Sequence, residues 1–256
     1  MPVLRVDNYC DAYRLRARAA DIHELAARPN KKHVTEFVNR RILEILQVEP
    51  GDFLVDIGCG DAALLRMSAG RTAKSVGIVS TSEEKEKLDA AFPGLSITVA
   101  DVGCIPLESA AANKIVCNAV LLYLPSEERV KAALREIARI ARPGATILVG
   151  EIPEVDEYKH YGMYRGSSML AYLWHLLTRN GLRSFLGMIR LWWKAVFGQQ
   201  QIVLNSAGVF HMPHDRFVEL ATGCGLKLKS CFRHKELNQE RAVVDSEFRY
   251  DYMFTV

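Results

Sequence analysis

Acidic residues are missing from a long stretch of this 256-residue chain: between Tyr158 and His214 there is no Asp or Glu, while six Lys and Arg give it +6. The remainder carries 27 basic against 30 acidic side chains, so the formal net charge of +3 is the sum of an acidic body and a basic insert. The same stretch holds all three Trp and four of the seven His. Among the six Cys there is no CxxC pair and no His at ligand spacing, which excludes a zinc ribbon and leaves no metal site to expect. Reduced thiols in a cytoplasmic protein are the expectation. The opening MPVLRVDNYC lacks the apolar core of a signal peptide, and the longest apolar run, 169–177, is broken by His175 and too short to span a bilayer. No internal repeat or low-complexity tract is present, and 49% hydrophobic with 25% charged residues excludes a disordered chain.

What the sequence does contain is alternation. Residues 34–46 place Val34, Phe37, Val38, Ile42, Ile45 and Leu46 at helical spacing, and the turn signal at 49–52 stops them. Short β-prone runs follow at 53–57, 75–79, 95–100, 115–118 and 146–149, separated by helix-like segments at 62–68, 83–91 and 127–141. Strand alternating with helix implies a parallel sheet covered on both faces. Beyond Glu151 the order changes to helices at 167–177 and 181–197, a polar linker at 198–201 and a helix at 214–222. Strand-like runs at 226–232 and 248–256 then read as an antiparallel hairpin at one sheet edge.

The segment that carries chemistry is Phe53-Leu-Val-Asp-Ile-Gly-Cys-Gly-Asp61. A buried strand running through Gly58-Cys59-Gly60 into a helix exposes backbone N–H groups where a ligand can approach closely. With Ala63 the glycines also fit a dinucleotide fingerprint. Asp56 separates the two, because a carboxylate there repels a pyrophosphate and suits an ammonium group.

This segment resembles the first motif of the class I S-adenosylmethionine-dependent methyltransferases, a strand ending in D-x-G-x-G. The resemblance extends over about 34–151 and implies a Rossmann-like α/β fold: a three-layer αβα sandwich on a mostly parallel seven-stranded sheet with an antiparallel last strand. It implies S-adenosylmethionine as cofactor, with Asp56, Gly58, Cys59 and Gly60 around its methionine part and Asp61 nearby. Where the family ends its second strand in a ribose-binding acid, this chain has Val79, so Ser80 and Thr81 are expected to meet the ribose. Thr98-Val-Ala-Asp-Val-Gly-Cys-Ile-Pro-Leu107 resembles the adenine-binding motif and implies Asp101 with the Val102 N–H; the strand ending at Asn118-Ala119, with Tyr123 in the following turn, resembles the part that faces the transferring methyl.

The implied organisation is one domain: N-terminal helices (1–50), cofactor-binding core (51–154), helical lid insert (155–212) and a C-terminal helix with a strand hairpin (213–256). The implied reaction is methyl transfer to a small-molecule acceptor, at oxygen or nitrogen. A hydroxyl acceptor needs a base, for which Glu151, His160, Tyr161, Tyr123, His211 and His214 are candidates by position. Helix 181–197 sets Leu182, Phe185, Leu186, Ile189, Trp193, Val196 and Phe197 at helical spacing, with Arg183, Arg190 and Lys194 on another side. It reads as a lid helix, and alternatively as a surface for an anionic or lipid-like acceptor or a membrane interface. Mixed charge in the first fifty residues disfavours nucleic acid as partner. A nicotinamide-dependent oxidoreductase and a non-catalytic cofactor-binding module remain as other classes.

Overall fold

The computed structural model describes residues 3–6, 8–28, 31–157, 174, 177–178, 181–197, 202–205, 210–238 and 240–256. Its elements in chain order are β1 (Val3–Val6), α1 (Tyr9–Ala17), α2 (Lys32–Leu46), β2 (Phe53–Ile57), α3 (Ala63–Ser68), β3 (Lys74–Val79), α4 (Ser82–Ala91), β4 (Ile97–Val99), β5 (Ala112–Asn118), α5 (Glu127–Ile140), β6 (Ala141–Pro153), α6 (Gly181–Val196), β7 (Ile202–Asn205), α7 (His214–Gly223), β8 (Lys227–Leu237) and β9 (Val243–Thr255). Short 3₁₀ turns lie at Ile22–Ala26 and Leu121–Tyr123.

Seven strands form one sheet in the order β4-β3-β2-β5-β6-β9-β8, with β9 alone antiparallel to its neighbours. This is the Rossmann-like arrangement the sequence implies. β2 lies at the centre and is buried along its whole length, which is why 53–57 reads as an unbroken apolar run apart from Asp56. Asp56 pairs with Gly77 of β3 on one side and Val116 of β5 on the other. The strand order therefore reverses beside Asp56, where α/β sheets open a crevice at the strand C-termini.

Helices cover both faces. On one, α5 turns Val130, Ala133, Leu134, Ile137 and Ile140 inward at i, i+3, i+4, i+7 spacing, and its N-cap Ser126 accepts from the Arg129 N–H. Phe217 and Leu220 of α7 join that cluster with Tyr252 and Phe254 of β9. On the other, Val38, Ile42, Leu43 and Leu46 of α2 pack on Leu54, Val116 and Leu148. Two expectations need revision. The hairpin strands β8 and β9 are longer than the runs at 226–232 and 248–256. The N-terminal stretch contains a strand, β1, which pairs in parallel with β7 as a separate two-stranded sheet, Val3 opposite Ile202. Of the insert expected as a lid, most of 158–180 and the linker 198–201 lie outside the described residues.

Candidate functional site

A cavity of about 1750 Å³ runs across the C-terminal ends of β4, β3, β2, β5 and β6. Its wall takes in Asp56, Gly58, Cys59, Gly60, Asp61, Ser80, Asp101, Val102, Asn118, Ala119, Tyr123, Glu151 and His211. The structure thus brings together residues up to 155 positions apart that sequence reading had singled out separately. Two did not join them. Thr81 is buried beneath the wall, and His214 is half-buried against the Tyr252 hydroxyl, its Nδ1 3.0 Å away. His160 and Tyr161 lie outside the described residues.

The glycine turn is sterically fixed. Gly58 and Gly60 have φ of +76° and +54°, and a Cβ on Gly58 would come within 2.4 Å of the Val120 side chain. A Cβ on Gly60 would lie 3.3 Å from the Ala26 backbone, so the N-terminal segment rests directly on the turn. Cys59 contributes backbone only: its buried thiol packs towards Gly77 of β3, and burial pushes its pKa up.

Two acids stand beside this turn with different surroundings. Asp61 Oδ2 lies 2.9 Å from Nδ1 of buried His23, whose Nε2 lies 3.1 Å from the Arg28 carbonyl oxygen. Asp56 is also buried, yet its carboxylate has no hydrogen-bond partner among the described residues. Burial and the neighbouring Asp61 charge push its carboxyl up to about 7.

The second-strand loop differs from expectation. Ser80 Oγ donates to Glu84 Oε2 at 2.8 Å, and Thr81 Oγ1 and N–H donate to the same oxygen at 2.8 and 3.0 Å. Both hydroxyls are therefore committed to a capping box that starts α4. Glu84 is the residue that sequence reading missed: it is buried and lines the cavity, its carboxylate held by Ser80 and Thr81. Burial raises its pKa against the opposing hydrogen bonds from Ser80 and Thr81. The signal was readable, since Thr81-Ser-Glu-Glu84 has capping-box spacing. At the β4 end, Asp101 Oδ1 accepts from the Gly103 N–H at 2.8 Å and Oδ2 from Arg129 at 2.5 Å.

Beyond Asn118 the wall is ionic. Glu151 has a left-handed backbone (φ +59°) at a bulge in β6, and its buried carboxylate meets Arg28, the Arg249 guanidinium at 2.8 Å and the Asn118 amide at 3.0 Å. Burial alone would raise its pKa, but Arg28, Arg249, His234 and the Asn118 amide outweigh it and hold it at about 2. A carboxylate so held is a poor proton acceptor, and its contacts tie together Arg28, Asn118 and Arg249. Tyr123 packs against Tyr9 with the rings tilted by 35°, centroids 4.1 Å apart, and burial and the Glu151 charge raise its pKa; it is an O–H donor at neutral pH. Among the described residues no group of three or more His, Cys, Asp or Glu could hold a metal ion.

A methyltransferase-domain family model matches residues 55–149, from β2 into β6. Among curated proteins, the chain is 30% identical over 125 residues to a mouse (Mus musculus) tRNA (carboxymethyluridine(34)-5-O)-methyltransferase, covering 47% of this chain and 18% of that protein. The chain spans between 16% and 34% of the length of the curated relatives it matches. Among solved structures, a chain of the Haloferax volcanii complex between the Trm112 methyltransferase activator and a methyltransferase superposes with TM-score 0.64 at 15% identity, covering 98% of each chain. The N-methyltransferase NodS of Bradyrhizobium japonicum, solved with S-adenosyl-L-homocysteine, gives TM-score 0.58 at 13% identity over 97% of this chain and 98% of that one. Sheet order, crevice and family match agree: residues 55–149 match a methyltransferase domain, within a Rossmann-like fold that the solved methyltransferase structures share.

Proposed function

We propose that the protein transfers a methyl group from S-adenosylmethionine to a small-molecule acceptor, at oxygen or nitrogen, in a reducing cytoplasmic setting that its six free thiols fit. The observation that supports the reading is the buried carboxylate of Asp56, without a hydrogen-bond partner among the described residues, at the edge of the glycine turn and on the cavity wall. A buried charge without a counter-ion is costly, and an ammonium group removes that cost where a pyrophosphate would add to it. The donor set fits the rest of the cofactor as well. Gly58 and Gly60 would hold the turn beside the methionine part, the Glu84 carboxylate would accept from the ribose hydroxyls that Ser80 and Thr81 were expected to meet, and Asp101 and Val102 would bound the adenine.

When bound, the cofactor supplies a methyl group already activated on its sulfonium, so the protein's task is alignment and exclusion of water. Asn118 and Ala119 bound the cavity there, with the Asn118 amide held by Glu151. Glu151, locked between Arg28 and Arg249, fixes the wall against which an acceptor rests. Tyr123 can donate a hydrogen bond to it, and His211 stands on the wall where a proton would be removed.

A second reading is an RNA-borne acceptor, which the named activity of the mouse relative favours. Glu236 and Glu247 on the cavity wall oppose it, because they would repel a phosphate backbone. Titration with S-adenosylhomocysteine and with NAD tests the main reading; binding of the first alone is expected, and binding of NAD alone defeats it. Glu84→Gln keeps the cap but weakens acceptance from a diol, so S-adenosylhomocysteine affinity should fall by about fivefold, roughly 1 kcal/mol, with little change in melting temperature. An unchanged affinity removes Glu84 from the site.

A further inference from the structure

Helix α6 carries an apolar face that nothing among the described residues covers. Leu182 is 61% exposed, Leu186 53%, Trp193 54% and Phe197, just past its end, 63%. At about 100° per residue these four positions fall within an arc of about 60°, one continuous stripe along the helix. The Trp193 and Phe197 rings stack on it at 5.0 Å. Folded proteins rarely leave large aromatic and aliphatic side chains aligned in water without an occupant.

Charge selects the occupant. Arg183 and Arg190 are exposed and lie about 100° and 80° around the helix from Leu182, so they border the stripe on one side. No acidic residue occurs from Tyr158 to His214 to neutralise them. A second copy packed on this face would confront cations with cations. A bilayer surface accepts all three kinds of group, with acyl chains for Leu and Phe, the interfacial layer for Trp and headgroup phosphates for Arg. At 16 residues α6 is too short to span, and no described helix is long and apolar enough to cross a membrane.

We infer that α6 lies flat on an anionic phospholipid surface through Leu182, Leu186, Trp193 and Phe197, with Arg183 and Arg190 on the headgroups. The chain leaves the cavity wall near Glu151, forms this insert and returns to the wall at Phe210 and His211. Docking would therefore tether the cavity to a membrane, and the acceptor class that suits it is an amphiphile resident in the interface. The docking itself does not depend on the proposed methyl transfer.

Co-sedimentation of the full chain with phosphatidylcholine vesicles, with and without phosphatidylglycerol, tests it. Partitioning onto the phosphatidylglycerol vesicles is expected, falling about tenfold or more in Arg183→Gln/Arg190→Gln and on raising salt. Leu186→Glu/Trp193→Glu should abolish it with unchanged circular dichroism and melting temperature. In the unaltered chain, brominated acyl chains should quench tryptophan fluorescence, a readout that needs no variant. Absence of partitioning overturns the inference, as does equal partitioning onto both vesicle types. A dimer that Trp193→Glu disperses, without vesicle binding, assigns the face to a second copy instead.

Discussion

Asp56 and Glu151 are two buried carboxylates on the wall of one cavity, and their neighbours drive them apart. Asp56 sits near Asp61 with no cation beside it among the described residues and is pushed up to about 7, whereas Arg28 and Arg249 hold Glu151 at about 2. The Asp56 pKa is raised, so ionising it costs folding stability as pH climbs from the ordinary carboxylate range to about 7. A bound ammonium group offsets that cost. Between about pH 8 and about pH 6 S-adenosylhomocysteine affinity is therefore expected to fall about tenfold, because below its pKa the carboxyl must first lose its proton. Calorimetry in buffers of different ionisation enthalpy should show proton release on binding at the lower pH. Asp56→Asn should bind weakly and show no such dependence. A pH-independent affinity in the unaltered protein would remove Asp56 as the ammonium partner.

At the scale of elements, the β6 bulge joins distant parts of the chain, since Arg28 precedes α2 and Arg249 lies on β9. Glu151→Gln keeps the shape and leaves two guanidiniums facing each other, so a loss of about 2 to 4 kcal/mol is expected, towards the lower end because both arginines keep contact with water. The sign with pH follows from a depressed pKa. Stability from Glu151 is present above the ordinary carboxylate pKa and is lost as pH falls towards about 2. The gap between the two proteins in urea denaturation should narrow over that range; a constant gap would show that charge is not its cause. The same element shows what a sequence can disclose. β2, β3, β5 and α5 were legible because burial imposes a local period on them, and Asp56 with its glycines was legible because a tight turn needs particular residues. The Arg28–Glu151–Arg249 convergence has no period and spans the chain. β1 and β7 are four residues each, and their pairing is set by partners about 200 positions away. Glu84 was hidden differently: its capping signal is local and legible, but its burial on the cavity wall is set by tertiary packing.

For the whole molecule, the N-terminal segment acts as a strap across the cavity, fastened at four places. Tyr9 packs tilted against Tyr123, and the Lys87 ammonium donates to the carbonyls of Arg16, Ala19 and Asp21. His23 meets Asp61, and Arg28 meets Glu151. Two of these fastenings end on residues beside the glycine turn or the Asn118 wall, so a ligand filling the cavity and the closed strap should stabilise each other. The main hydrophobic cluster of the central sheet contains no residue of 9–28. Saturating S-adenosylhomocysteine is thus expected to slow amide exchange across residues 9–28 by about tenfold or more, equivalent to about 1.4 kcal/mol of added closure. The α5 core amides open only with the whole domain, so they should slow as well, by the factor that ligand concentration over Kd sets. Lys87→Ala loosens one fastening without touching the cavity wall, and should speed exchange in 9–28 and ligand release together. If ligand leaves exchange in that segment unchanged while still binding, the segment is a fixed wall, and entry must be sought at the insert side of the cavity.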